Sequence, residues 1–95
     1  MRKNPLHLGE LLREDVIKEF GLFVNEAVTR LGMSRFAFSR VLNGKAAIST
    51  NLSIRLEMAG VSTARAWLIM QTNYDLSKAL KRKQPKIDPL STRLR

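Results

Sequence analysis

The sequence predicts an all-α fold of five helices, the last of them long, with no strand. Three observations predict it. Apolar residues recur at mostly three- and four-residue steps from Leu8 to about Arg82 and nowhere alternate with a period of two. Gly21, Gly32, Gly44 and Gly60 interrupt that pattern, and glycine ends a helix at little cost because it takes the left-handed conformation readily. Ser34, Ser49 and Ser62 stand where a hydroxyl can accept from the free N–H groups of a helix start. A chain of 95 residues has room for one core, so these helices build one domain.

The first helix covers about 8–20. Leu8, Leu11, Leu12, Val16 and Phe20 make one of its faces apolar, and Gly21 ends it. A short second helix runs from about Val24 to Leu31 and stops at Gly32. Ser34 caps a third, which reaches Leu42 and closes at Asn43-Gly44. Ser49 caps a fourth over Thr50 to Ala59, with Leu52 and Leu56 turned inward. Ser62 caps the fifth, about 63–82. At ~100° per residue, Trp67, Met70 and Tyr74 gather on one side of it and Ile69, Leu76 and Leu80 on the other. Either one face packs on the domain and the other is left for a second copy or a different protein, or both fold into one monomeric core. Past that helix, 83–95 is basic and poor in apolar residues, which predicts a disordered tail. The domain is therefore read as 1–82.

Composition narrows the function. Cys is absent and His7 is the single histidine, so neither a disulfide framework nor a metal site or catalytic dyad is expected, and no cofactor. No apolar run approaches the ~18 residues of a membrane span, and no signal-type segment follows the basic N-terminus, so a cytoplasmic protein is expected. Lys and Arg total 17 against 8 acids, a net charge of +9 that points to a polyanionic partner. The charge is unevenly spread. Segment 8–20 carries Glu10, Glu14, Asp15 and Glu19 against Arg13 and Lys18. No acid occurs between Glu26 and Glu57, where Arg30, Arg35, Arg40, Lys45 and Arg55 lie. Charge alone would also fit a solvated face with a loose tail.

The second and third helices form the candidate site. Two short helices crossing steeply about a turn that tolerates positive φ are the elements of a helix-turn-helix, here about 24–44, with Gly32 as the turn. Ala27, Val28 and Leu31 before the turn and Met33, Phe38 and Val41 after it lock the pair. Arg35, Ser39 and Arg40 fall on the side away from Phe38 and Val41, and Ser34 stands at the helix start. The major groove of DNA admits a helix and exposes distinct donor and acceptor patterns. Arg35 suits a bidentate contact to guanine O6 and N7; Arg40 suits the same or a phosphate. Phe36 fits either a thymine methyl or the junction with the first helix. Asn43 and Lys45, just past the helix, are placed to hold phosphate oxygens and fix register. Glu10 and Glu14 lie one turn apart but read as a solvated face; no nucleophile–base pair or phosphate loop is visible, so no enzyme is expected.

Leu6-His7-Leu8-Gly9-Glu10-Leu11-Leu12-Arg13-Glu14 resembles the opening of HigA-type antitoxins, part of the helix-turn-helix family that includes phage repressors and Cro. Gly21-Leu22, Val24-Asn25-Glu26, Leu31-Gly32, Ser34-Arg35, Ser39-Arg40 and Leu42-Asn43-Gly44-Lys45 match its central signature. Ala47-Ile48-Ser49, Arg55-Leu56-Glu57, Trp67-Leu68, Gln71 and Asn73-Tyr74-Asp75-Leu76 match its distal part, so the likeness covers about 6–76. The resemblance implies a five-helix, lambda-repressor-like DNA-binding domain that dimerises, represses its own operon and neutralises a HigB-type mRNA endonuclease toxin. It carries the DNA-contact role to Ser34, Arg35, Ser39 and Arg40. Two departures bear on the site. Phe23 replaces the usual Ser or Thr cap of the second helix, and Phe36 stands where Pro or a small residue is commoner.

The fifth helix is the candidate dimer contact, through Ile69, Leu76 and Leu80. Two alternatives stay open: an orphan phage- or plasmid-type repressor without a toxin, and a toxin-binding module with weak DNA affinity. The basic residues Lys81, Arg82, Lys83 and Lys86 fit added phosphate binding, a solubilising end or a degradation signal equally well.

Overall fold

The computed structural model describes residues 7–91. Five α-helices follow one another: α1 (Leu8–Leu12), α2 (Val24–Leu31), α3 (Arg35–Leu42), α4 (Thr50–Met58) and α5 (Ala64–Leu80). There is no strand among the described residues. Expectations for 1–6 and for the tail beyond Ser91 fall outside them. Residues 83–91 form neither helix nor strand, and 83–90 are exposed.

The first helix departs from its expected regularity. α1 runs directly into a π-helical stretch, Arg13–Lys18. A π-turn holds more residues than an α-turn, so the buried face slips forward by about one position. Leu12 and Ile17, five apart, are both buried with Val16, while Phe20 is carried out to 56% exposure. The expected apolar face therefore holds as far as Val16 and then passes to Ile17. The chain leaves the stretch through Leu22 N–H on the Ile17 carbonyl, 3.0 Å, and Gly21 at φ +66°.

Local signals elsewhere act as their chemistry requires. Ser34 Oγ accepts from Ala37 N at 3.0 Å, and Ser49 Oγ accepts from Leu52 N at 3.0 Å. The fifth helix corrects the sequence reading. Its cap is Thr63, whose Oγ1 accepts from Ala66 N at 3.0 Å, while Ser62 sits at φ +59° in the connecting turn. A left-handed residue lies outside the extended geometry that a cap needs, and Thr63 (φ −118°, ψ 155°) has it. The helix ends at Leu80, two residues before its expected limit.

Phe23 is the cap position of α2 and has no side-chain acceptor to offer. Only the return half of a capping box is made, Phe23 N–H to Glu26 Oε1 at 2.9 Å. Phe23 is 78% exposed, so its ring contributes little packing. Its φ −85° and ψ 157° already suit a hydroxyl cap. Phe23→Ser should therefore stabilise the domain by ~1 kcal/mol, read as a melting-temperature rise of about 4–8 °C. An unchanged or lower melting temperature would show that the exposed ring contributes more than the missing cap.

The core joins all the helices. Leu12, Phe38 and Leu56 are almost fully buried, with Ile48, Leu52 and Trp67 close behind. Trp67 Nε1 donates to the Val61 carbonyl at 2.8 Å, which satisfies its buried N–H. Gln71 is the polar hinge between α5 and the α3–α4 loop. Its Oε1 accepts from Ile48 N at 2.8 Å and its Nε2 donates to Asp75 Oδ1 at 2.9 Å. α1 reaches α3 through Gly9, whose Cα lies against the carbonyls of Val41 and Leu42 with no room for a side chain.

Candidate nucleic-acid interface

Positioning begins at the turn between α2 and α3. Gly32 takes φ +65°, a conformation that costs glycine little, and Met33 N–H returns to the Val28 carbonyl at 3.1 Å. Arg55 of α4 locks this turn from behind, with Nη1 donating to the Leu31 and Gly32 carbonyls at 3.2 and 2.7 Å. One of the five cations in the acid-free segment is thus occupied in holding the fold, so a count of charges overstates the interface. Ala27, Val28, Leu31, Phe38 and Val41 are buried between the helices, with Met33 packed at their edge.

With its apolar side committed, α3 leaves a polar side open. Ser34, Arg35, Phe36 and Arg40 are exposed and Ser39 is half-buried. Arg35 Nη1 donates to Asn25 Oδ1 on α2 at 2.6 Å. That bond fixes one end of a long, rotamer-rich side chain and leaves four of the five guanidinium N–H groups for other work. Phe36 is 74% exposed, which removes the reading that it seals the junction with the first helix. The Arg40 guanidinium lies 6.0 Å from its ring centroid, and Arg40 Nη2 also donates to the Lys45 carbonyl at 3.0 Å. Arg40 therefore bridges the Phe36 ring on α3 and the Lys45 carbonyl past its C-terminal end.

Asn43 and Lys45 follow that helix and are exposed. Asn43 Oδ1 accepts from Arg13 Nη2 at 3.3 Å, which adds Arg13 to the same surface. Sequence reasoning missed Asn25, Arg13 and Arg55 as parts of this site. Their partners lie 10, 30 and 23–24 positions away, and helical periodicity carries no signal at those separations. The Glu10–Glu14 pair does not form a carboxylate site: Glu14 bonds Lys18 Nζ at 3.2 Å and Glu10 lies 3.7 Å from His7 Nε2.

α5 shows the two apolar faces expected of it. Trp67 is buried and Met70 packs against the core, while Ile69, Leu76 and Leu80 are exposed large hydrophobics on the opposite side. Ile54 of α4 is exposed too, and it lines one shallow cleft with Leu68 and Ile69. No helix among the described residues is long and apolar enough to cross a membrane.

No family profile matches the chain. It is 35% identical to virulence-associated protein A of Dichelobacter nodosus over 91 residues, 95% of this chain and 89% of that one. Among solved structures, an addiction-module antidote protein of the HigA family from Coxiella burnetii superposes with a TM-score of 0.74. It shares 30% identity, over 82% of this chain and 85% of its own. Pseudomonas aeruginosa antitoxin HigA, determined with the higBA promoter, superposes with a TM-score of 0.81 at 27% identity, over 93% of this chain and 100% of its own. The five-helix fold, the glycine turn and this likeness over most of both chains agree: the protein belongs to the HigA family of helix-turn-helix proteins.

Proposed function

We propose that this protein is a sequence-specific double-stranded DNA-binding autorepressor, dimeric on the operator of its own operon, and the antitoxin of a HigB-type toxin–antitoxin pair. The observation that carries the reading is the open face of α3, where Arg35 and Phe36 stand clear of the core with no acid in the surrounding sequence. Kinship with Pseudomonas HigA, determined with its promoter, supports the choice of duplex DNA. In this reading residues 1–82 are the binding domain, 83–95 a basic disordered tail, and the protein is a cytoplasmic regulator without enzymatic activity.

α3 enters the major groove, where base edges are distinguishable. Arg35, steadied by Asn25, reads guanine O6 and N7; Phe36 meets a thymine methyl; Ser34 and Ser39 make short polar contacts. Arg40, Asn43 and Lys45, near the helix end, hold phosphates and set the register. Ile69, Leu76 and Leu80, with Ile54, meet their copies in a second chain and space two recognition helices about 34 Å apart.

Footprinting on the chain's own upstream DNA tests the reading as a whole; absence of protection at modest salt overturns it. Arg35→Ala tests the readout. The variant should lose about 1–3 kcal/mol of operator binding and relax preference at one base pair. Equal weakening on every sequence would make Arg35 a phosphate contact instead.

A further inference from the structure

A second cluster of cations lies beside the recognition helix, formed by parts of the chain distant in sequence. The residue before α1, the loop after α3 and the C-terminal end of α5 enclose a cleft of about 310 Å³. At ~30 Å³ per water this holds about ten waters, room for a phosphate group and part of its hydration. Lys45 of the α3–α4 loop, Lys78 of α5, Arg82 two residues past the end of α5, and His7 are among the residues that line it. Asp75 is the one carboxylate among the described lining residues, and Gln71 Nε2 already donates to it at 2.9 Å. His7 Nδ1 is buried without a hydrogen-bond partner among the described residues.

Three like charges around one cleft repel each other, and one engaged carboxylate offsets them only in part. Cations at a helix C-terminus are favoured by its dipole, which accounts for Lys78 and Arg82 singly. Lys78 Nζ also lies 5.4 Å from the Tyr74 ring centroid, but neither contact gives a reason for Lys45, on another element, to line the same cleft. An anion does. Tyr74 and Lys78 lie one turn apart on α5, on a face separate from Ile69, Leu76 and Leu80, and Arg82 follows in the turn that ends the helix. The cleft therefore stays open when the apolar face is covered. It includes Gly44 and Lys45 of the loop that follows α3, so it adjoins the C-terminal end of that helix.

We propose that this cleft receives one backbone phosphate of the bound duplex, flanking the bases that α3 reads, with Lys78 and Arg82 as its principal cations. The proposal rests on the DNA-binding reading above and adds contacts from α5. A phosphodiester of DNA and free inorganic phosphate share this chemistry, and the test separates them.

The experiment compares the full chain with Lys78→Gln/Arg82→Gln, both exposed positions, by fluorescence anisotropy on an operator duplex across a salt series. Neutralising one phosphate contact should reduce the slope of log K against log salt by about one, with base preference unchanged. A neutral methylphosphonate placed at successive flanking positions should weaken the parent protein at one position and leave the double variant indifferent there. An unchanged salt slope, or no position that distinguishes the two proteins, overturns the proposal even where Arg35 still sets base preference. Saturable binding of inorganic phosphate at constant ionic strength, lost in the double variant while the duplex slope stays the same, assigns the cleft to a small anion and overturns it too. If the parent protein retards no duplex, both readings fall together.

Discussion

Leu76→Glu should give a folded monomer whose operator affinity falls by about 10²–10⁴-fold, the loss expected when two half-sites are no longer gripped by one linked pair. Leu76 is 54% exposed in the single chain, and Ile69 and Leu80 are exposed beside it. Leu76 is exposed and is not a member of the buried core, so stability should move by no more than ~0.5 kcal/mol. A symmetric interface doubles the effect of one substitution, since each carboxylate meets the apolar patch of the other copy. The measurement is sedimentation of the parent and variant proteins, followed by operator titration of both. A variant that still sediments as a dimer removes α5 as the interface. One that becomes monomeric yet binds the operator as before removes the need for a dimer.

Gly9→Ala has the second large effect, and it acts on the fold. In an exposed helix this change would stabilise by roughly 1 kcal/mol, because alanine is the better helix former. Here the sign should reverse. A Cβ at position 9 would stand 2.5 Å from the Leu42 carbonyl oxygen and closer still to that of Val41. Both neighbours are backbone at the end of α3, so neither can move aside as a flexible side chain would. Relief requires α1 to lift away from α3. Overpacking of this severity costs about 3 kcal/mol, against a total stability of ~5–15 kcal/mol for a domain of this kind. The melting temperature should fall by about 12–24 °C, and operator binding should weaken with it as Asn43 loses its support from Arg13. A melting temperature within 2–3 °C of the parent, on the order of 0.5 kcal/mol, would show that the α1–α3 contact is loose.

The two variants also separate kinds of information. The apolar stripe Ile69–Leu76–Leu80 is visible in the sequence, because the side-chain direction of a helix follows from spacing alone. So are the Ser34 and Ser49 caps and the Gly32 turn, since each acts on N–H and C=O groups within a few residues of itself. The polar face of α3 was legible for the same reason: Phe38 and Val41 must face inward, which leaves Arg35, Phe36 and Arg40 outside. Ser62 misled where two hydroxyls stand side by side. Only backbone conformation distinguishes the turn residue from the cap, and Thr63 has the extended geometry. The π-helical stretch misled in another way, because a pattern read at 3.6 residues per turn keeps counting through a segment with a different pitch.

The existence and order of the helices, the turn and the outward face of the recognition helix follow from near-neighbour sterics and hydrogen bonding, and the order of residues suffices to determine them. What serves each side chain across the fold was settled only by packing. Asn25 steadies Arg35, Arg13 meets Asn43 and Arg55 is occupied in bracing Gly32. His7 and Lys45 come to face the end of α5 in the same way. Those pairings depend on how helices cross, and crossing is decided by where volume is missing, as at Gly9, more than by any local periodicity.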